Sequence, residues 1–131
     1  MPGAPAAAMG DRVVGTDTHI VLMPSPGGPV PTPVQLPFTG IITHGCCPTV
    51  LVGGKPAATR DSVAINTPPH IPPAGTFQKQ PDNRGTVSRG STSVFIGGKP
   101  AARNGDTATT CNDLALQHTS TVVAASTVLI G

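Results

Sequence analysis

The chain has 131 residues, of which 16 are glycine and 16 are proline. These two residues interrupt helices and central strands, so an architecture of long helices is excluded. Charged residues make up 11% of the chain, aromatic residues 2%, and the formal net charge is +2. Because the few basic residues are dispersed and have no aromatic residues between them, the sequence does not favour binding to nucleic acid. No apolar stretch is long enough to span a membrane.

The first residues and the cysteines predict the compartment in which the chain folds. Residues 1–11 lack the cationic and apolar segments of a secretion signal, so we expect synthesis and assembly in the cytoplasm. Cysteine occurs at an odd number of positions, Cys46, Cys47 and Cys111, which argues against a framework of disulfides.

Taken in chain order, the sequence contains three copies of one motif. Near the start of the chain, residues 5–11 match residues 100–106 near its other end. Residues 48–58 align without gaps on residues 92–102, and both read as a short β-branched run, Gly-Gly and Lys-Pro-Ala-Ala. Residues 126–131 match only the front half of the motif. The two ends of the chain therefore predict a third copy that is split between them.

Each copy of the motif predicts a short β-hairpin. Glycine pairs suit tight hairpin turns, because they adopt positive φ angles at little cost. A ring of repeats closes only if its first and last elements meet, so we expect residues 1–131 to form one all-β, prism-like domain with pseudo-threefold symmetry. The runs from Val50, Val94 and Val128 are apolar throughout, so either the domain's own core or another protein is expected to cover them.

Two proline-rich segments separate the copies. Residues 20–40 and 66–84 predict extended, ordered loops that lack the hydrogen bonds of a sheet and converge at one end of the domain. Residues 112–117 are the only segment in which a helical turn is expected.

Histidines recur in register with the motif. His19 lies fourteen residues after Pro5, and His70 lies fourteen residues after Pro56. The stretch that follows Pro100 in the corresponding way carries Cys111 and His118. Three imidazoles and one thiolate make a closed set of four ligands that suits a structural zinc ion. The sequence therefore predicts one zinc site at His19, His70, Cys111 and His118. His44 is out of register and is interpreted as an ordinary polar loop residue.

The copy at residues 92–102 carries a family resemblance. Residues 100–103 read P-A-A-R, and the preceding residues 93–99 read S-V-F-I-G-G-K, so the chain resembles the PAAR-repeat proteins over nearly its whole length. The resemblance implies a small cone whose broad base caps the trimeric VgrG-like spike of a type VI secretion system or a related contractile injection machine. It also implies a zinc ion held near the tip by histidines and a cysteine.

The resemblance further implies a structural protein and not an enzyme. One cap would sit on each spike trimer, sharpen it for piercing target membranes, carry effectors and leave the cell with the spike. Because the repeat runs to both ends, a stand-alone tip is expected. Leu51, Phe95 and Leu129 occupy equivalent positions in the three copies and are the candidates for the base.

Two alternatives remain open from the sequence. A hydrolase would use Cys46 or Cys47 as the nucleophile and His44 as the base. An extracellular adhesion module built from β-repeats is the other alternative. Stoichiometric zinc and binding to a trimeric spike would distinguish the cap from both.

Overall fold

A computed structural model describes residues 3–113 and 117–131. Within these ranges the chain forms β-strands and no helix, so the predicted all-β class is confirmed. The described residues accordingly include no helix that could cross a membrane. Residues 114–116, part of the segment in which a helical turn is expected, lie outside the described residues. The strands are β1 (Ala4–Pro5), β2 (Arg12–Met23), β3 (Val30–His44), β4 (Cys47–Val52), β5 (Lys55–Ala57), β6 (Val63–Asn66), β7 (Thr76–Phe77), β8 (Arg84–Val87), β9 (Phe95–Ile96), β10 (Lys99–Pro100), β11 (Thr107–Thr109), β12 (Ser120–Val123) and β13 (Leu129–Ile130).

Six of these strands close into an antiparallel barrel. Their order is β2–β3–β6–β8–β11–β12, and β12 pairs with the start of β2 to complete the circle. Closure leaves these strands without free edges over the paired residues. β7 adds to the outer end of β2, at Val21 and Leu22.

Three hairpins next to the barrel carry the repeated motif. They are β4–β5, β9–β10 and, between the two ends of the chain, β1–β13. One register applies to all three, in which an apolar residue pairs with a proline: Leu51 with Pro56, Phe95 with Pro100, and Leu129 with Pro5. The third copy is therefore completed by the termini, as the sequence predicts. Both Gly-Gly turns have positive φ angles, 58° and 83° in one hairpin and 60° and 83° in the other.

A ring of backbone hydrogen bonds joins the three copies. The N–H of Ala7 donates to Ala102 O at 2.9 Å, that of Ala102 to Ala58 O at 3.0 Å, and that of Ala58 to Ala7 O at 2.9 Å. The three alanines are at most 1% exposed. Backbones can approach this closely around one axis because alanine adds only a methyl group. The second alanine of the motif is thus the residue on which the pseudo-threefold closure depends.

Small aliphatic residues fill the barrel, together with one aromatic ring. Three cross-strand pairs of buried residues occupy equivalent places in the barrel: Val13 with Val122, Ala64 with Ile42, and Ala108 with Val87. Phe38 is 1% exposed and fills the space beyond them. A Cβ atom at Gly40 or Gly85 would lie 2.6 Å or 3.1 Å from the Phe38 ring, so these glycines make room for it.

The expectation of a loop at residues 20–40 is wrong. β2 and β3 form a long hairpin in which Arg12–Met23 pair with Val30–Ile41 one to one. Pro31, Pro33 and Pro37 are all separated by an even number of residues along β3, so they share one orientation in the strand. Because successive N–H groups of a strand point to opposite sides, prolines spaced in this way withdraw donors only from the side away from β2. The hairpin therefore keeps its ladder, and its outer part extends beyond the barrel.

Candidate metal centre

The inner face of β2 is apolar at Val13 and Val21 and polar between them. Successive side chains of a strand alternate between faces, and the odd-numbered residues Val13, Asp17, His19 and Val21 are all 0% exposed. Val13 contributes to the barrel core. Asp17 and His19 lie further along the strand and place a carboxylate and an imidazole in the interior, where each needs a polar partner.

These two side chains meet His70 and Cys111. One ligand atom from each of Asp17, His19, His70 and Cys111 lies within 4.8 Å of the others. Asp17 Oδ2 accepts hydrogen bonds from His70 Nε2 at 2.9 Å and Cys111 Sγ at 3.2 Å. His19 Nε2 is 3.9 Å from the same oxygen and 3.7 Å from Cys111 Sγ. His70 is 8% exposed and Cys111 9%, so the group is closed to bulk water on most sides.

The loops after β6 and β11 bring His70 and Cys111 into place. The backbone N–H of His70 donates to Asn83 Oδ1 at 2.8 Å, and its ring stands edge-on to Phe38 with centroids 6.2 Å apart. Cys111 follows Thr110, whose hydroxyl donates to the other oxygen of Asp17. Both oxygens of the buried carboxylate therefore have partners.

The electrostatics of the group follow from burial and hydrogen bonding. Burial raises the pKa of Asp17, but hydrogen bonds from His70, Thr110 and Cys111 outweigh it and leave the pKa below its ordinary value. Burial and then the Asp17 carboxylate raise the pKa of the Cys111 thiol to about 12. A divalent cation bound here would be balanced by the carboxylate and a thiolate, so the donor set fits one metal ion.

Three of the four residues that the sequence predicts as ligands meet in this group. His19, His70 and Cys111 belong to it, whereas His118 is exposed in the turn before β12 and does not. The fourth donor is Asp17, which the sequence analysis missed. Its signal was available, because Asp17 is two residues from His19 and shares its face once residues 12–23 are recognised as a strand.

The residues of the hydrolase alternative are placed differently. His44 is exposed, and its Nδ1 forms a hydrogen bond of 2.7 Å with the Thr43 hydroxyl. Cys46 packs against the barrel core, and burial raises the pKa of its thiol. All three cysteines are free. Over residues 3–113 and 117–131, no hydrogen bond joins His44 to a cysteine, so the structure does not bring this pair together as a nucleophile and base.

Comparison with known families adds a further observation. Residues 77–131 match the family model of the PAAR motif, which covers 55 of the 131 residues. Residues 77–131 therefore carry a PAAR motif. The matched part contains the complete hairpin β9–β10, Cys111 and the closing strand β13, whereas Asp17, His19 and His70 precede it. No curated protein gave a significant match.

Each of the three hairpins exposes a large apolar side chain at the same position of its motif. Leu51 is 60% exposed, Phe95 57% and Leu129 60%. The residue after each points inward, and Val52 and Ile130 are only 5% and 6% exposed. Val50 and Val128, which precede Leu51 and Leu129, are themselves 37% and 42% exposed. Apolar surface is thus left uncovered at equivalent positions of the three hairpins around the pseudo-threefold axis.

Proposed function

We propose that this PAAR-motif protein is the structural tip of a contractile injection machine, capping a trimeric VgrG-like spike of a type VI secretion system or a related particle. In this role the protein is made in the cytoplasm and leaves the cell with the spike. It sharpens the spike for piercing a membrane and carries effectors. The observation that carries the proposal is the exposure of Leu51, Phe95 and Leu129 at equivalent positions of three hairpins.

The symmetry of the hairpins supports this choice of partner. A monomer with three similar sides can offer each chain of a true trimer a comparable surface. Val13 of β2 packs in one cluster with the three alanines that join the hairpins. The six residues from Val13 to His19 at the metal centre span roughly 20 Å at about 3.3 Å per residue. The metal centre therefore lies away from the hairpins, toward the end that would form the point.

Binding to the purified spike trimer tests the proposed base. Leu51→Asp, Phe95→Asp and Leu129→Asp each place a charge where docking would exclude water, which costs several kcal/mol without a partner charge. We expect a loss of affinity of about 100-fold or more in each variant, and a mass of one cap per trimer for the native complex. Ile71→Asp is the matched control, because Ile71 is 74% exposed but lies beside His70 in the loop near the metal centre.

Two results would count against the base. Native affinity in all three variants would remove the hairpin residues from the interface. An equal loss in the Ile71→Asp control would indicate that any added charge weakens binding, so that the effect is not local. Each variant is first compared with the native protein by urea unfolding, since a core position would lose stability instead of affinity.

We propose that the bound metal is zinc. Imidazole nitrogen, thiolate sulfur and carboxylate oxygen are the donors that zinc uses in proteins, and four of them make a closed structural site. His19, His70 and Cys111 would hold the ion together with Asp17, which takes the place predicted for His118. The ion would stabilise the folded end of the protein directly, where loops too thin to bury much apolar surface come together.

Metal analysis of purified variants tests this ligand set. We expect one zinc per native chain, loss of zinc in Asp17→Ala and His70→Ala, and retention in His118→Ala and His44→Ala. Zinc that is retained in Asp17→Ala but lost in His118→Ala would restore the set predicted from sequence. Native protein without any bound metal would end the zinc proposal while leaving the spike-cap proposal intact.

A further inference from the structure

The loop after β11 lies against the outer part of β2 and is fastened there by its side chains. The N–H of Thr18 donates to Asn112 Oδ1 at 2.7 Å, and the N–H of Asp113 donates to Thr18 O at 3.0 Å. Asp113 uses both carboxylate oxygens on the next two residues of β2. Its Oδ2 accepts from the N–H of Ile20 at 2.7 Å, and its Oδ1 accepts from His19 Nδ1 at 3.0 Å.

The contact with Asp113 determines which nitrogen of His19 is free. A carboxylate only accepts hydrogen bonds, so the bonded Nδ1 must carry the proton. In the neutral ring, Nε2 then has a lone pair and no hydrogen. This is the nitrogen that faces Asp17 Oδ2 and Cys111 Sγ.

We propose that Asp113 is a positioning residue that orients His19 and fixes its tautomer for metal binding. The inference rests on the metal binding proposed above. Metal-bound histidines generally donate their second ring N–H to a carboxylate or carbonyl, which holds the ring and strengthens its electron donation to the metal. Asp113 supplies this partner with a side chain that is only 9% exposed.

Substitution by asparagine separates positioning from simple packing. In Asp113→Asn the new side chain would keep the size of the native one but have only one oxygen. If that oxygen accepts from Ile20 N–H, the amide N–H₂ group faces His19 Nδ1 and favours the opposite tautomer, with the proton on Nε2. We expect Asp113→Asn to bind zinc roughly 10–100-fold more weakly than the native chain. Asn112→Ala is the matched control, since it removes the neighbouring acceptor for β2 and leaves the His19 contact.

The test combines zinc affinity with the state of the His19 ring. Zinc dissociation constants are measured by competition with a chelator, and the ring nitrogens are assigned by nitrogen-detected NMR in the metal-free proteins. We expect the proton on Nδ1 in the native chain and in Asn112→Ala, and on Nε2 in Asp113→Asn. Equal zinc affinity in native protein and Asp113→Asn would overturn the positioning role.

The outcomes keep this inference apart from the zinc proposal. A native chain that binds no zinc defeats the proposed metal function, whereas a native chain that binds zinc only as tightly as Asp113→Asn defeats only the role of Asp113. Should Asp113→Asn fail to fold, the native protein still decides the question: a His19 proton on Nε2 in the metal-free chain contradicts the inference.

Discussion

Closure of the split copy of the motif by the two ends of the chain predicts a large difference between adjacent residues of β13. Ile130 is 6% exposed and packs with the buried alanines and Val52 of the hairpin core, whereas its neighbour Leu129 is 60% exposed. Ile130→Ala should therefore destabilise the fold far more than Leu129→Ala. The two substitutions affect the same strand and remove side chains of equal size, which makes them a matched pair.

The magnitude follows from the apolar groups that each substitution removes. Burial of one CH₂ or CH₃ group contributes about 0.8 kcal/mol to stability, and Ile130→Ala removes three such groups. The loss of unfolding free energy is therefore roughly 2.5 kcal/mol before any cavity is counted. A residual cavity raises this to about 3–4 kcal/mol. Leu129 already exposes more than half of its surface, so Leu129→Ala should cost less than about 1 kcal/mol.

Urea denaturation of the metal-free proteins measures both changes in unfolding free energy, without the added stability that a bound ion would give. Comparable unfolding free energies for the two variants would contradict the reasoning. In that case β13 would contribute little to the fold, and closure of the ring by the termini would not stabilise it.

Three further predictions follow from individual positions. Phe38→Ala should lower the unfolding free energy by about 3–5 kcal/mol in urea, because one ring fills the space beyond the barrel core; a cost under about 1 kcal/mol would contradict that packing. Gly98→Ala should cost about 1 kcal/mol in the same assay, because the φ angle of 83° disfavours a side chain although the space is open; increased stability would show that the turn relaxes. Cys47 should react with a disulfide reagent at about pH 8 before Cys111 does, because hydrogen bonds with Thr49 lower the pKa of Cys47 whereas burial raises that of Cys111 to about 12. Loss of the fast phase in Cys47→Ser identifies the reacting thiol, and fast labelling of Cys111 would contradict its interior position.

Local chemistry was sufficient to predict the hairpins. Gly-Gly followed by Lys-Pro-Ala-Ala has few conformations available other than a tight turn and a returning strand, and the turns have the positive φ angles that this requires. Repetition of the motif then predicted the pairing of β1 with β13, although these strands are at opposite ends of the sequence.

The long hairpin of β2 and β3 was not predicted, because its prolines were read as breaking a sheet. The number of prolines in a segment does not decide whether it can form a strand. What matters is whether each missing N–H group lies on the side that faces a partner strand. Their alternate spacing was present in the sequence, but the partner strand that makes the spacing tolerable is a property of the folded molecule.

The sequence by itself therefore determined the repeated hairpins, the split third copy and three of the four donors at the candidate metal centre, because each depends on local residue types or on their register. Only the tertiary structure placed Asp17 in that centre, Asp113 behind His19 and His118 on the surface. These positions depend on how strands and loops distant in sequence approach one another. A buried carboxylate is stable only where several of them supply hydrogen bonds together.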